Sequence, residues 1–203
     1  MSRKELIKPK AILVRMFGVL APHSFKEDQL NGFVRNNIKA YIDEQWGDGD
    51  LWESIVAMKH ESDVERETNS KVPRIANNCE KDEDIKQTVI EYVLYQLQQP
   101  HDDSQSEYRT FYTHLWDYGY TKQQLKTELY QDVVAAINSW KAKGIDIYTI
   151  SSYKELTVQA MLKNTNIGDV TNVSTSAICK HLIRFLAIYR TYYCKRSEKR
   201  RLR

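Results

Sequence analysis

Ser151 and Ser152 are the residues best placed for chemistry. They end the β-rich run IDIYTI, Ile145 to Ile150, and Ser152 stands three residues ahead of Glu155, the spacing of a capping box. That pattern predicts a strand handing over to a helix N-terminus, where free backbone N–H groups and a hydroxyl face an anion. A second apolar run, KAILVRMF from Lys10 to Phe17, ends at Gly18 and carries one charge, Arg15. In an open α/β sheet, ligands bind outside the carboxyl ends of the strands. Arg15, Ser151, Ser152 and Lys154 could therefore form a cationic pocket for phosphate. The commoner fate of a lone arginine is to pair with a carboxylate or to reach solvent. Metal chemistry finds less support. The histidines at positions 23, 60, 101, 114 and 181 lack a ligand spacing, and Cys79, Cys179 and Cys194 form no Cys-x-x-Cys pair.

The elements that must position these groups follow from periodicity. Lys10 to Phe17 reads as a buried parallel strand, and Ser24 with Glu27 as a capping box opening a helix through Leu30, Phe33, Val34, Ile38, Tyr41, Ile42 and Trp46. Gly47 to Asp84 reads as loop with one short helix around Trp52 to Lys59, because GDGD, Pro73 and many charges interrupt it. Ile85 to Leu97 and Tyr108 to Trp116 carry helical stripes on either side of the polar HDDSQS segment, and their aromatic residues are expected in a core rather than on a base-stacking surface. Thr121 with Gln124 predicts a helix from there to Gly144. From Ser174 to Tyr193 the stripe Ile178, Leu182, Phe185, Leu186, Tyr189 and Tyr193 predicts a final helix, expected to cover the sheet. The plan is α/β, with an excursion interrupting the first crossover.

Composition agrees with a globular protein: 203 residues, 41% hydrophobic and 28% charged. The apolar stretch Ala11 to Ala21 is broken by Arg15 and is shorter than a membrane span or an uninterrupted signal segment, so a cytoplasmic or nuclear protein without membrane contact is expected. Net charge is +3, but the last nine residues, KRSEKRRLR, hold +5, leaving −2 for the rest. Any polyanion affinity therefore belongs to that tail, as a nucleic-acid contact or nuclear address.

Leu13 to Phe25, LVRMFGVLAPHSF, resembles the first motif of the enolase-phosphatase (acireductone synthase) of methionine salvage, a haloacid dehalogenase family whose motif reads like LLDIEGTTTPISF. The segment His114-Leu115-Trp116 through Lys126, Asp132-Val133-Val134 and Trp140 to Gly144 is similar to the family's cap. Tyr148 to Lys154 is similar to its YIYSSGS motif, and Gly168-Asp169 to a later Gly-Asp pair. The resemblance covers about residues 10 to 170. It implies an incomplete haloacid-dehalogenase-like Rossmannoid core from 10–24 and 131–173, a large helical cap insertion from 25–130, and a divergent C-terminal helix and basic tail from 174–203. The family's later lysine-bearing and acidic motifs find no counterpart, so the chain reads as a degenerate, C-terminally truncated copy.

The resemblance also implies chemistry that these residues lack. The family uses a motif-one Asp as nucleophile toward 2,3-diketo-5-methylthiopentyl-1-phosphate, with Mg²⁺ bridging the two anions and a Glu serving metal binding and proton transfer. Arg15 stands at the Asp position and Phe17 at the Glu position. A guanidinium stays protonated and repels Mg²⁺, and a phenyl ring neither binds metal nor moves protons. An inactive copy with no functional catalytic residue and no metal cofactor is expected, Ser151 and Ser152 being kept as substrate-binding candidates. Alternatives are an active Mg-dependent acireductone synthase with a rearranged site, or a non-enzymatic phosphate- or nucleic-acid-binding protein. The expected ligand is a phosphate-bearing small molecule and the expected state a monomer.

Overall fold

The computed structural model describes residues 9–99, 106–171 and 176–179, the last by backbone alone. The chain divides into two compact units, one made of residues 1–23 with 126–203 and the other of Ser24–Leu125.

The first unit is built on a three-stranded parallel sheet in the order β1-β2-β3, with β1 Ala11–Arg15, β2 Asp146–Ser151 and β3 Ser176–Cys179. Helix α5 (Val133–Ala142) packs on β2, and α6 (Glu155–Lys163) on β3. Ile147 and Thr149 of β2 and Val14 of β1 are buried with Leu129, Val133, Ile137 and Leu162 around a residual void of only about 10 Å³. Strand β1 was expected to be apolar on both buried faces, but only one face is covered among the described residues. Val14 and Met16 are buried while Leu13 is 53% exposed, because the strand's alternation turns Leu13 and Arg15 to the opposite face.

Around this sheet the structure departs from three expectations. The helix expected from Thr121 begins only at Val133. Before it Leu125, Thr127 and Leu129 alternate inward with period two, and the Thr127 N–H donates to the Asn164 carbonyl at 2.7 Å while the Asn166 N–H donates to the Thr127 carbonyl at 2.8 Å. Leu125 and Leu129 fit a helical stripe equally well, so spacing alone could not separate the two. The helix expected from Ser174 is a strand at Ser176–Cys179, which pairs with the free edge of β2. The rest of that stripe and the basic tail lie outside the described residues, as does most of the HDDSQS segment. Helix α6 starts at Glu155 with Lys154 as its N-cap and no side-chain cap bond, so the Ser152–Glu155 capping box does not form.

The second unit is helical. A π-helical stretch Phe25–Leu30 leads into α1 (Asn31–Gln45), followed by α2 (Gly49–Thr68), α3 (Asp82–Gln96) and α4 (Glu107–Thr121). Ser24 already has helical backbone angles and makes no side-chain cap bond, so its capping box also fails. The expected loop of 47–84 is largely the 20-residue α2. Its charges sit on exposed or half-buried positions while Leu51, Ser54, Ile55, Met58 and Ser62 form the buried face, and Asp48 caps it by accepting the N–H groups of Asp50 and Leu51 at 2.9 and 3.1 Å. Helix α4 meets α1, α2 and α3 and carries the fully buried Phe111, Leu115 and Trp116. Gly119 is required there: a Cβ would lie 2.7 Å from the Phe33 ring and 2.8 Å from Leu125. Glu61 of α2 accepts the N–H groups of Glu107 and Tyr108 and the Tyr92 hydroxyl, capping α4 from a different helix. Burial and the Glu61 carboxylate hold the Tyr92 phenol far above its ordinary pKa, and burial pushes that of Tyr41 up to about 12. Among the described residues no helix is long and apolar enough to cross a membrane.

Candidate functional site

The carboxyl ends of β1 and β2 bring the sequence candidates to one edge of the sheet. After β1 the chain reverses over six residues. The Gly18 N–H donates to the Ala21 carbonyl at 2.7 Å, the Ala21 N–H to the Met16 carbonyl at 2.9 Å and the Leu20 N–H to the Arg15 carbonyl at 3.2 Å. Gly18 has φ +85°, so glycine is needed there for conformation; a Cβ would meet only the exposed His23 ring, which can swing aside.

Register decides which groups meet. Arg15 is opposite Ile150, and the Met16 N–H donates to the Ile150 carbonyl at 3.2 Å. Neighbours in register share a face, so Arg15 lies on the exposed face while Ser151 shares the buried face of Val14 and Met16. The two most suggestive residues thus reach the same edge on opposite faces. Arg15 is exposed and makes no ion pair or side-chain hydrogen bond among the described residues.

Beyond β2, the Ser151 hydroxyl accepts the Tyr153 N–H at 3.1 Å, which closes the turn and occupies one backbone donor that an anion would use. Ser152 is half-buried and Lys154 exposed. Tyr153 is buried and sets its ring edge-on against Phe17, with centroids 5.9 Å apart and planes at 81°. The space between the two strand ends is thereby occupied by an aromatic pair.

This donor set does not fit Mg²⁺. A hard cation takes carboxylate and carbonyl oxygens, whereas the strand ends offer a guanidinium, two rings and two hydroxyls. No cluster of three His, Cys, Asp or Glu side chains suited to a metal occurs among the described residues. Asp169, next to Gly168, accepts both the N–H and the hydroxyl of Thr171, at 2.8 and 2.6 Å, which holds its carboxyl below the usual range.

One polar feature escaped sequence reasoning. Asn31, in the second unit, is 5% exposed, and its Oδ1 has no hydrogen-bond partner among the described residues. It lines a cavity of about 190 Å³. On sequence it reads as an unremarkable polar residue beside Leu30, and only packing makes it conspicuous.

No protein-family model matches the chain. It is 29% identical over 144 residues to enolase-phosphatase E1 of Xenopus tropicalis, covering 70% of this chain and 54% of that protein. The Danio rerio enolase-phosphatase E1 is 27% identical over 146 residues, 70% of this chain and 55% of that one. A probable bifunctional methylthioribulose-1-phosphate dehydratase/enolase-phosphatase of Vitis vinifera is 26% identical over 165 residues, 79% of this chain and 31% of that one. Among solved structures, the UTR4 protein of Saccharomyces cerevisiae superposes with a TM-score of 0.56 at 13% identity, covering 84% of this chain and 68% of that one, which supports a shared α/β fold with a helical insertion. The chain spans about half the length of the enolase-phosphatases it matches in frog and zebrafish. It is a distant relative of the enolase-phosphatase E1 proteins.

Proposed function

We propose that this chain is an enolase-phosphatase-like protein of methionine salvage that does not turn over the diketo phosphate of its relatives. The supporting observation is the Phe17–Tyr153 pair, which fills the strand ends beside Arg15. In-line phosphoryl transfer to a carboxylate needs an acidic nucleophile, a metal that screens two approaching anions and room for the transferred group. Arg15 removes the first and opposes the second, and the ring pair occupies the third. No metal cofactor enters this reading, and the protein is assigned to the cytoplasm as a monomer. The test is phosphate release from 2,3-diketo-5-methylthiopentyl-1-phosphate with Mg²⁺. The expected result is no release above a mock purification, and a Mg²⁺-dependent turnover abolished by Ser151→Ala would establish the alternative, an active enzyme with a rearranged site.

A second reading, a non-enzymatic phosphate binder, draws on Arg15 being exposed and without an ion pair among the described residues. Ser151 accepts one bond but keeps its own proton to donate, and Ser152 lies beside it. In this reading phosphate raises the unfolding temperature of the wild type and not of Arg15→Ala. Equal shifts in both would leave only a general salt effect.

A further inference from the structure

One face of the parallel sheet is packed, and the other is open among the described residues. Val14, Ile147 and Thr149 lie under α5 and α6, whose Val133, Ile137 and Leu162 close over them. The opposite face carries Leu13, 53% exposed, with the exposed Arg15 and the half-buried Tyr148 and Ile150, and register sets Ile178 of β3 opposite Ile150. A parallel sheet is ordinarily covered on both faces, because crossover helices fall on both sides. Here both crossovers step the same way, from β1 to β2 and from β2 to β3, and right-handed connections in one direction share one face, as α5 and α6 do. By the same rule, a connection returning from β3 toward β1 lies on the other face.

We propose that the open face is a docking surface for residues 180–193 of this same chain, which run back as a helix from β3 across β2 to β1. The segment leaves from Cys179, which pairs with Ser151 at the carboxyl edge of the sheet, so it starts where a return over the strands must start. Its stripe Leu182, Phe185, Leu186, Tyr189 and Tyr193 is spaced for one helical face. Length agrees: as a helix, residues 180–193 reach about 21 Å, and the six-residue β2 extends about 20 Å. Charge agrees as well. Running against the strands, the segment brings Lys195 and Arg196 to the amino edge, where the exposed Asp146 shares the face of Leu13 and Tyr148. Residues 1–8, which precede β1, are mostly polar and offer no such stripe. The covering needs no chemistry at the strand ends, and its test reads no turnover.

The test is peptide-resolved hydrogen exchange on the full chain, with sedimentation equilibrium to count subunits. Residues 180–193 should exchange at least about tenfold more slowly than an unstructured peptide of the same sequence, and the protein should sediment as a monomer. Leu13→Glu sets a charge on the open face and should remove that protection, while peptides of α5, on the packed face, keep theirs. In the reciprocal variant Leu186→Glu, hydroxyl-radical oxidation of Leu13 and Tyr148 should rise several-fold over wild type. If Leu13→Glu does not fold, Leu13→Ala takes its place, with a smaller loss of protection. Exchange of 180–193 at the free-peptide rate in the wild type overturns the proposal, and so does protection that the Leu13 variants leave unchanged. A dimer that Leu13→Glu converts to monomer overturns it too, since a second copy would then hold the face.

Discussion

The strand ends of the first unit and the cavity of the second solve opposite packing problems. Where the family resemblance places acids and an open turn, this chain has Phe17 and Tyr153 closing on each other, and the Ser151 hydroxyl is tied to the turn. In the helical unit, among some of the best-buried aromatics of the chain, Asn31 buries a side-chain oxygen without a partner among the described residues. A ring at the position of the family's Glu, against a second ring at that of its glycine, favours packing over chemistry, which suits a structural role. An unpaired buried amide oxygen works the other way, as a polar cost carried inside a well-packed helical unit. Aromatic packing thus replaces polar groups where an α/β fold ordinarily binds ligands, while the helical unit tolerates a buried polar atom.

Among substitutions that bear on the two regions, the largest effect is expected at the strand ends. Tyr153→Ala removes a buried ring and its partner contact with Phe17, and should lower stability by about 3–5 kcal/mol in urea unfolding. A loss below about 1 kcal/mol would mean that the pair is not a structural plug. In the helical unit, Gly119→Ala pushes a methyl into Phe33 and Leu125, and should lower stability by about 1–3 kcal/mol. A neutral outcome would show slack in the packing around α4.

Glu61→Ala leaves the first N–H groups of α4 without their acceptor and should lower stability by about 1–2 kcal/mol, read by thermal unfolding. The smallest effect is expected at Glu65, whose carboxyl is raised above its ordinary range by burial, against the Gln96 amide that donates to it at 2.6 Å. A raised folded pKa means that the native state binds its proton more tightly, so its stabilising contribution is complete below the unfolded carboxylate range and is lost as pH rises through the folded value. Glu65→Gln should therefore be as stable as wild type or slightly more so at neutral pH. That advantage should shrink as the pH falls through the carboxylate range. Opposite behaviour would point to a carboxylate stabilised in the fold, as at Asp43 and Glu44, where lysine hydrogen bonds hold the carboxyls low.

Much of this architecture was legible before any coordinates. β1, β2 and the stripes of α1, α3 and α4 follow from runs such as Ala11 to Met16 and from Phe33, Val34, Ile38, Tyr41 and Ile42, because strong periodicity and tertiary burial agree there. Charge density hid α2: a solvated face and a loop use the same residues, and what separates them is the buried face from Leu51 to Ser62. The capping boxes failed for a local reason. Ser24 is already helical, and α6 begins with Lys154 as its N-cap after the Ser151 hydroxyl has taken the Tyr153 N–H, a choice set by where β2 ends. Arg15 and Phe17 were visible by their types alone. Their separation from Ser151 by sheet face, the Phe17–Tyr153 contact, the Glu61 cap 46 residues from Glu107 and the unpaired Asn31 oxygen all depend on register or long-range packing, which spacing along one chain does not encode.

The central claim is that the strand ends carry no phosphoryl chemistry, and a single-turnover experiment tests it more sharply than a steady-state assay. Protein in excess over 2,3-diketo-5-methylthiopentyl-1-phosphate, with Mg²⁺, would be followed by ³¹P NMR, which detects even one transfer per molecule. The account predicts that the phosphomonoester resonance keeps its full intensity for as long as it does in a protein-free control. Growth of inorganic phosphate, or of a protein-bound phosphoryl signal, at a rate that scales with protein concentration would contradict it.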